Sequence, residues 1–198
     1  MPDIQLKRLA RSLAEIPIEG TAPLIQNRFS EKARGMMLDR QQGKATEREP
    51  KNPEALFEAA MYRLDSERYG HPAVAFKSAI VGGARFFKGS KLTMTGMKVS
   101  LFVRGEGPDA LVEIEGPEPK MREDPVRNST GVADLRYRPS FWPWRAKLQV
   151  VFIRSQFNLE SLIALVDAGG NVGVGEWRPE RDGQFGRFYV DLNDVHGS

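Results

Sequence analysis

Six glycines fall between positions 169 and 186. They sit in Gly169-Gly170-Asn171-Val172-Gly173-Val174-Gly175-Glu176-Trp177-Arg178-Pro179 and then in Gly183-Gln184-Phe185-Gly186-Arg187-Phe188-Tyr189-Val190. Glycine takes positive φ without strain and lets a backbone come close to another group. The stretch follows a helical pattern over 159–168 and precedes a strand pattern over 185–191. Whatever the chain folds into must join its last helix to its last strand through this loop. A glycine-rich junction carrying Trp177, Arg178, Arg181 and Arg187 suits a polyanion with flat bases. The competing reading is a structural turn with Trp177 packed on the core.

With 198 residues, the chain is expected to form one domain with large insertions: a flexible loop or finger over 31–52 and an arm over 115–145. It has no cysteine, which excludes disulfides, thiolate zinc sites and a cysteine nucleophile and fits a reducing cytoplasm. No apolar run is long enough to span a bilayer, so no membrane partner is expected. The N-terminus is amphipathic and basic but lacks an apolar signal core. The net charge is only +3, so its distribution says more. Between positions 121 and 154 seven basic residues face three acids, a local net of +4, and six of the seven are arginine. Arginine grips phosphate with a planar fork and stacks on bases. The bland reading of that segment is a solvated arm with scattered charge.

Along the chain, 4–13 reads as a short amphipathic helix or arm. Residues 14–20 alternate as a first strand, with Pro17 suggesting an edge or an irregular start. Residues 21–30 read as a strand end turning into a loop that projects Arg28. Residues 31–52 are polar, with Lys32 and Arg34 among their cations. Asn52-Pro53-Glu54 signals a capped helix start, and the helix is expected to run to about residue 65. A second helix starts at Pro72. After it, Arg85-Phe86-Phe87-Lys88-Gly89-Ser90-Lys91 mixes cations with aromatics, and Phe86 and Phe87 read equally as core. Residues 98–103 and 110–114 read as a hairpin. The arm follows, proline-rich over 117–125 and then Arg136-Tyr137-Arg138-Pro139-Ser140-Phe141-Trp142-Pro143-Trp144-Arg145. Trp142 and Trp144 suit base stacking or a hook into a neighbouring subunit. Residues 147–154 form a buried strand, and Asn158 caps the last helix.

The core order is strand, helix, strand, then strand, helix, strand. That is the split βαβ, ferredoxin-like or RRM-like order: an α+β fold whose antiparallel sheet has helices on one face and an open face suited to a single strand of nucleic acid. With this order, the loop at 169–188 resembles the glycine-rich signature of the RAMP superfamily, the Cas5-, Cas6- and Cas7-type RNA-binding proteins of CRISPR systems. The resemblance covers the core and not the arms. It implies RNA binding, and for Cas7-like subunits polymerisation along a strand by a finger and thumb placed like the two insertions. The chain also resembles a group of small phage-encoded proteins, through Pro23-Leu24-Ile25 with Arg28-Phe29-Ser30, and through Gly173-x-Gly175-x-Trp177-Arg178-Pro179 with Phe185-Gly186-Arg187-Phe188.

Catalysis finds little support. His71 stands beside Pro72 at a helix start and His196 near the end, and no acid–histidine cluster has metal spacing. The Gly173-x-Gly175 run lacks the lysine of a phosphate-binding loop and follows a helix rather than a strand. No enzyme activity, cofactor or metal is therefore expected. The reading is a self-assembling, sequence-tolerant single-stranded nucleic-acid-binding protein, a homo-oligomer, with DNA favoured over RNA by the phage resemblance. The alternatives are a Cas7-like backbone subunit holding guide RNA, and a structural or inhibitory protein that binds other proteins. The candidate contact residues are Arg28, Lys32, Arg34, Arg85, Lys88, Lys91, Arg136, Arg138, Trp142, Trp144, Arg145, Trp177, Arg178, Arg181 and Arg187.

Overall fold

Strict alternation in two segments builds the central sheet. In β1 (Arg11–Gly20) Ser12, Ala14, Ile16 and Ile18 are buried, while Leu13, Glu15, Pro17 and Glu19 face the other way. The computed structural model describes residues 8–29, 35, 37–39, 41–43, 50–87, 93–127, 131 and 133–197. The further strands are β2 (Leu24–Ile25), β3 (Tyr69–Pro72), β4 (Leu101–Val103), β5 (Leu111–Ile114), β6 (Lys120–Arg127), β7 (Ala133–Phe141), β8 (Arg145–Ile153), β9 (Phe188–Val190) and β10 (His196–Gly197). Four α-helices lie wholly within the described residues: α1 (Pro53–Ala59), α2 (Ala73–Gly83), α3 (Met94–Ser100) and α4 (Leu159–Gly170). Residues 35, 37–39 and 41, inside the expected finger, also carry helical backbone.

β8 alternates in step with β1, burying Ala146, Leu148, Val150 and Phe152 opposite Ile18, Ile16, Ala14 and Ser12. β4 adds beside β8, and β9 with β10 beside β1, all antiparallel. The spatial order is therefore fourth, first, third, second strand of the core, which is the ferredoxin-like arrangement that the element order implies. The apolar faces of α2 (Phe76, Ile80) and α4 (Leu162, Leu165, Val166) share one hydrophobic core with the buried face of this sheet. Gly82-Gly83 belongs to that contact: a Cβ on Gly83 would lie 2.8 Å from the Gly169 nitrogen of α4.

Several expectations are corrected. Residues 11–13 belong to β1, not to a helical arm; 4–7 lie outside the described residues. Pro17 is in the centre of the sheet. It is tolerated because its carbonyl accepts the Asp191 N–H (3.0 Å) on the side where the sheet is interrupted between β9 and β10, so its missing donor faces the gap. The helix begun at Asn52 is capped as expected, Asn52 accepting the Ala55 N–H at 3.1 Å, but ends at Ala59. There the tertiary structure captures the backbone: Arg28 N–H donates to Ala60 O (2.9 Å) and Tyr62 N–H to the buried Gln26 side chain (3.0 Å). Of the strand expected over 98–103, residues 98–100 are instead the end of α3, which Thr93 caps by accepting the Gly96 N–H, and only 101–103 are strand. The expected 98–103 with 110–114 hairpin does not form. β5 pairs instead with β3, and β4 pairs with β8.

The arm is a regular hairpin. β6 and β7 pair from Lys120 with Ser140 to Arg127 with Ala133, and β2 adds on the far side of β7. Among the described residues, no helix is long and apolar enough to cross a membrane.

Candidate functional site

The chain leaves α4 through Asn171 and enters the glycine loop, which is laced to the segment after β1. Val174 N–H donates to Gly186 O (3.0 Å), Glu176 N–H to Ile25 O (2.9 Å), Gly186 N–H to Pro23 O (2.8 Å) and Thr21 N–H to Arg187 O (2.8 Å). These bonds explain the glycines. Gly175 has φ 78°, and a Cβ there would lie 2.5 Å from Ile25 O; Gly186 has φ 64°, and a Cβ there would lie 1.7 Å from Val174 O. The close approach that the sequence reserves for a ligand is thus taken up by the protein's own backbone.

What the loop presents is aromatic and cationic. Trp177 adopts φ 49°, a left-handed conformation that costs a non-glycine residue energy. Its half-buried ring lies beside Phe185, centroids 6.1 Å apart at 36°. The Arg138 guanidinium stands 5.1 Å from the Trp177 centroid, and Arg122 lies 5.7 Å from Trp177 and 4.9 Å from Phe185. Arg122 and Arg138 are direct partners across the β6–β7 hairpin, so register delivers both cations to the rings. Beneath them Asp124, buried, accepts from Arg122 at 3.0 Å and stands 3.8 Å from Arg138, which also lies 3.6 Å from Glu176. Burial pushes the Arg138 pKa below the ordinary arginine value, and Glu176 opposes that shift.

Trp177 and Phe185 open on a recess of about 560 Å³ that Arg181, Asp182, Gly183, Gln184, Arg187 and Thr21 to Pro23 complete. Arg181 and Arg187 are exposed. Arg187 Nε donates to Gln184 O at 3.1 Å, which fixes the guanidinium at the rim. Four residues expected from the sequence to act together, Trp177, Arg181, Phe185 and Arg187, therefore converge. Arg178 points elsewhere, donating to Gly175 O (3.0 Å) and pairing with Glu180 (3.2 Å). Arg85 joins the same acid at 3.5 Å. Phe86 and Phe87 beside it are exposed, which removes the core reading.

A second groove, about 470 Å³, lies between α1 and β7, and Arg28, Phe29, Lys51, Arg136 and Tyr137 line it. Arg28 reaches Asp109 at 3.5 Å, and Lys51 pairs with Asp134.

Two expected contact residues are buried. Trp144 is 1 % exposed, packs against Phe188 and donates its Nε1–H to Ala22 O at 2.9 Å. It fills the space that Gly20 leaves, so it cannot stack on a base. Arg138 is 3 % exposed and held by acids, so it supports Trp177 rather than meeting a phosphate. Trp142, by contrast, is 48 % exposed. Arg145 lies on the open sheet face, 2.7 Å from Glu19, and Lys147 lies 3.5 Å from Glu15, so this face is laced by opposite charges. Lys32, Arg34, Lys88 and Lys91 lie outside the described residues. The sequence reading missed Arg122; its signal was the pairing with Arg138, visible only once the arm is recognised as a hairpin.

No family model matches this chain. Nor does any curated protein. Among solved structures, it is similar to a chain in the type III-B Cmr-beta bound to cognate target RNA, at 9 % identity and TM-score 0.48, with 94 % of this chain and 60 % of that chain covered. It is also similar to Cmr6 from Pyrococcus furiosus, at 9 % identity and TM-score 0.44, covering 93 % of this chain and all of Cmr6. The chain thus spans about 60 % of the length of the first. Both likenesses are distant, and the strand order of the sheet is what defines the fold.

Proposed function

We propose that this protein binds single-stranded nucleic acid at the Trp177 recess, by stacking and charge rather than by base-edge readout, and that it acts without chemistry on the strand. The single observation that carries this reading is the convergence of Trp177, Phe185, Arg181 and Arg187 on one open recess, with Arg122 behind the rings. Aromatic platforms beside cations are the physical basis of sequence-tolerant single-strand binding, because every base has a face and every nucleotide a phosphate. Those features are shared by DNA and RNA, so the assignment is to single strands of either. The second groove, lined by Arg28, Lys51 and Arg136, offers further cations to a strand. Self-assembly along the strand is part of the proposal, with exposed Trp142 as the contact to a neighbour. The glycine loop and the core order support a place near the RAMP superfamily.

The test is a competition among labelled single-stranded DNA, single-stranded RNA and duplex at low salt, with mass measured in parallel. Single strands are expected to outcompete duplex, whose bases are already stacked, and to raise the mass as copies line up. Equal affinity for duplex would mean that the recess reads only phosphate.

A further inference from the structure

A separate cavity lies against the same loop and shares no lining residue with the Trp177 recess. It holds about 260 Å³, and Asn27, Tyr62, His71, Ser78, Glu176 and Arg178 contribute its polar wall. The first turn of α2 closes one side. Its N-cap is Pro72, with no side-chain cap, so the Val74 and Ala75 N–H groups have no intrahelical acceptor. Both residues line the cavity. His71 is the second observation. It is 5 % exposed, stands edge-on to Tyr62 (5.9 Å) and Phe76 (5.7 Å), and neither ring nitrogen has a hydrogen-bond partner among the described residues. An unpartnered buried polar group costs free energy and calls for an explanation.

The chemistry of the wall selects the ligand. Burial, and then the Arg178 charge, hold the imidazole neutral, with a pKa of about 3. A neutral imidazole offers one donor and one acceptor, and the Asn27 amide and the Tyr62 and Ser78 hydroxyls likewise work both ways. Inorganic phosphate brings almost only acceptors, and the Glu176 and Glu180 carboxylates on the wall oppose it. A planar heterocycle with an amide edge supplies donor and acceptor together without charge. The volume is small for a drug-sized ligand and sufficient for one such ring. We propose that this cavity binds one nucleobase by its amide edge, through Asn27, Tyr62 and His71, either from a bound strand or from a free nucleoside. The strand source rests on the function proposed above; the nucleoside source does not.

The chain has two histidines, so ¹⁵N-histidine labelling of the full chain gives two pairs of ring signals, with exposed His196 as an internal reference. Each of four nucleosides, inorganic phosphate, a short single-stranded oligonucleotide and its abasic counterpart is titrated to millimolar concentration. Nucleosides are expected to move the His71 ring signals saturably and to leave His196 in place, while phosphate moves neither. Ser78→Trp, at an exposed position on α2, fills the mouth and is expected to abolish the shift. A strand source shows as an oligonucleotide that moves His71 and an abasic one that does not. A His71 shift from phosphate as large as that from nucleosides would make this an anion site and overturn the proposal. So would a His71 signal that no nucleoside and no oligonucleotide moves, even if the strand binds elsewhere. Nucleosides that move His71 while no strand binds would keep this inference and remove the proposed function.

Discussion

Replacing Trp177 by alanine separates the binding role of the loop from its scaffold role. A base stacked on an aromatic side chain contributes roughly 1–3 kcal/mol, so Trp177→Ala is expected to weaken single-strand affinity by about 5- to 150-fold. The same substitution costs stability. A fully buried Trp→Ala costs about 3–5 kcal/mol. Trp177 is only half-buried, which brings this to roughly half, and the lost contact with the Arg138 guanidinium adds about 0.5–2 kcal/mol. A loss of about 2–4 kcal/mol corresponds to a melting temperature lower by roughly 5–15 °C for a chain of this size. Trp177→Gly removes the same ring but suits the left-handed backbone, so it is expected to recover about 1–2 kcal/mol relative to alanine while binding equally poorly. The assay is fluorescence anisotropy with a labelled oligonucleotide well below the melting temperature, with circular dichroism melts on the same samples. Alanine and glycine variants that melt early yet bind within twofold of the parent would show that Trp177 is scaffold alone.

Trp144→Ala should cost about 3–5 kcal/mol of stability without changing the affinity of the folded protein, whereas Trp142→Ala should leave the melt unchanged and lower the assembled mass; denaturant melts and light scattering distinguish them. Arg138→Met leaves Asp124 buried with a weaker set of partners and should destabilise by about 3–5 kcal/mol, while Arg138→Met with Asp124→Leu should recover most of that loss in the same melts. His71 is neutral in the fold and has a pKa of about 3 there, against about 6.5 when unfolded, so the unfolded chain binds the extra proton. Its stability contribution is present above pH 6.5 and is lost as the pH falls from there towards 3, at up to about 1.4 kcal/mol per pH unit. His71→Phe should flatten that part of a stability–pH curve; an unchanged slope would contradict the burial argument.

The parts of the fold legible in the sequence were those where one residue type settles one local choice. Asn52 and Asn158 cap helices as read, and the alternation in 14–20 and the apolar run in 147–154 mark the two central strands. Short elements whose identity depends on a distant partner were not legible. Tyr69-Gly70-His71-Pro72 contains two residues that usually break structure, yet it pairs with β5. The proline-rich run over 117–125 gave no strand signal, yet Pro125 lies on β6, an edge strand, where a missing donor is tolerated. In the site, Trp177, Arg181, Phe185 and Arg187 were legible because they are neighbours along the chain. Trp144 and Arg138 were misread because their burial comes from Gly20, Phe188, Asp124 and Glu176, which the chain brings in from far away.

The salt dependence of single-strand binding tests the central claim most directly. Phosphate contacts release counterions, so log affinity should fall linearly with log salt, by about 0.7 per neutralised phosphate on a single strand. Arg181 and Arg187 are the exposed arginines lining the recess, so the Arg181→Ala, Arg187→Ala double variant is predicted to bind more weakly and to have a slope shallower by about 1.4. No binding to any single strand at low salt, or a double variant with the parent's affinity and slope, would contradict the account.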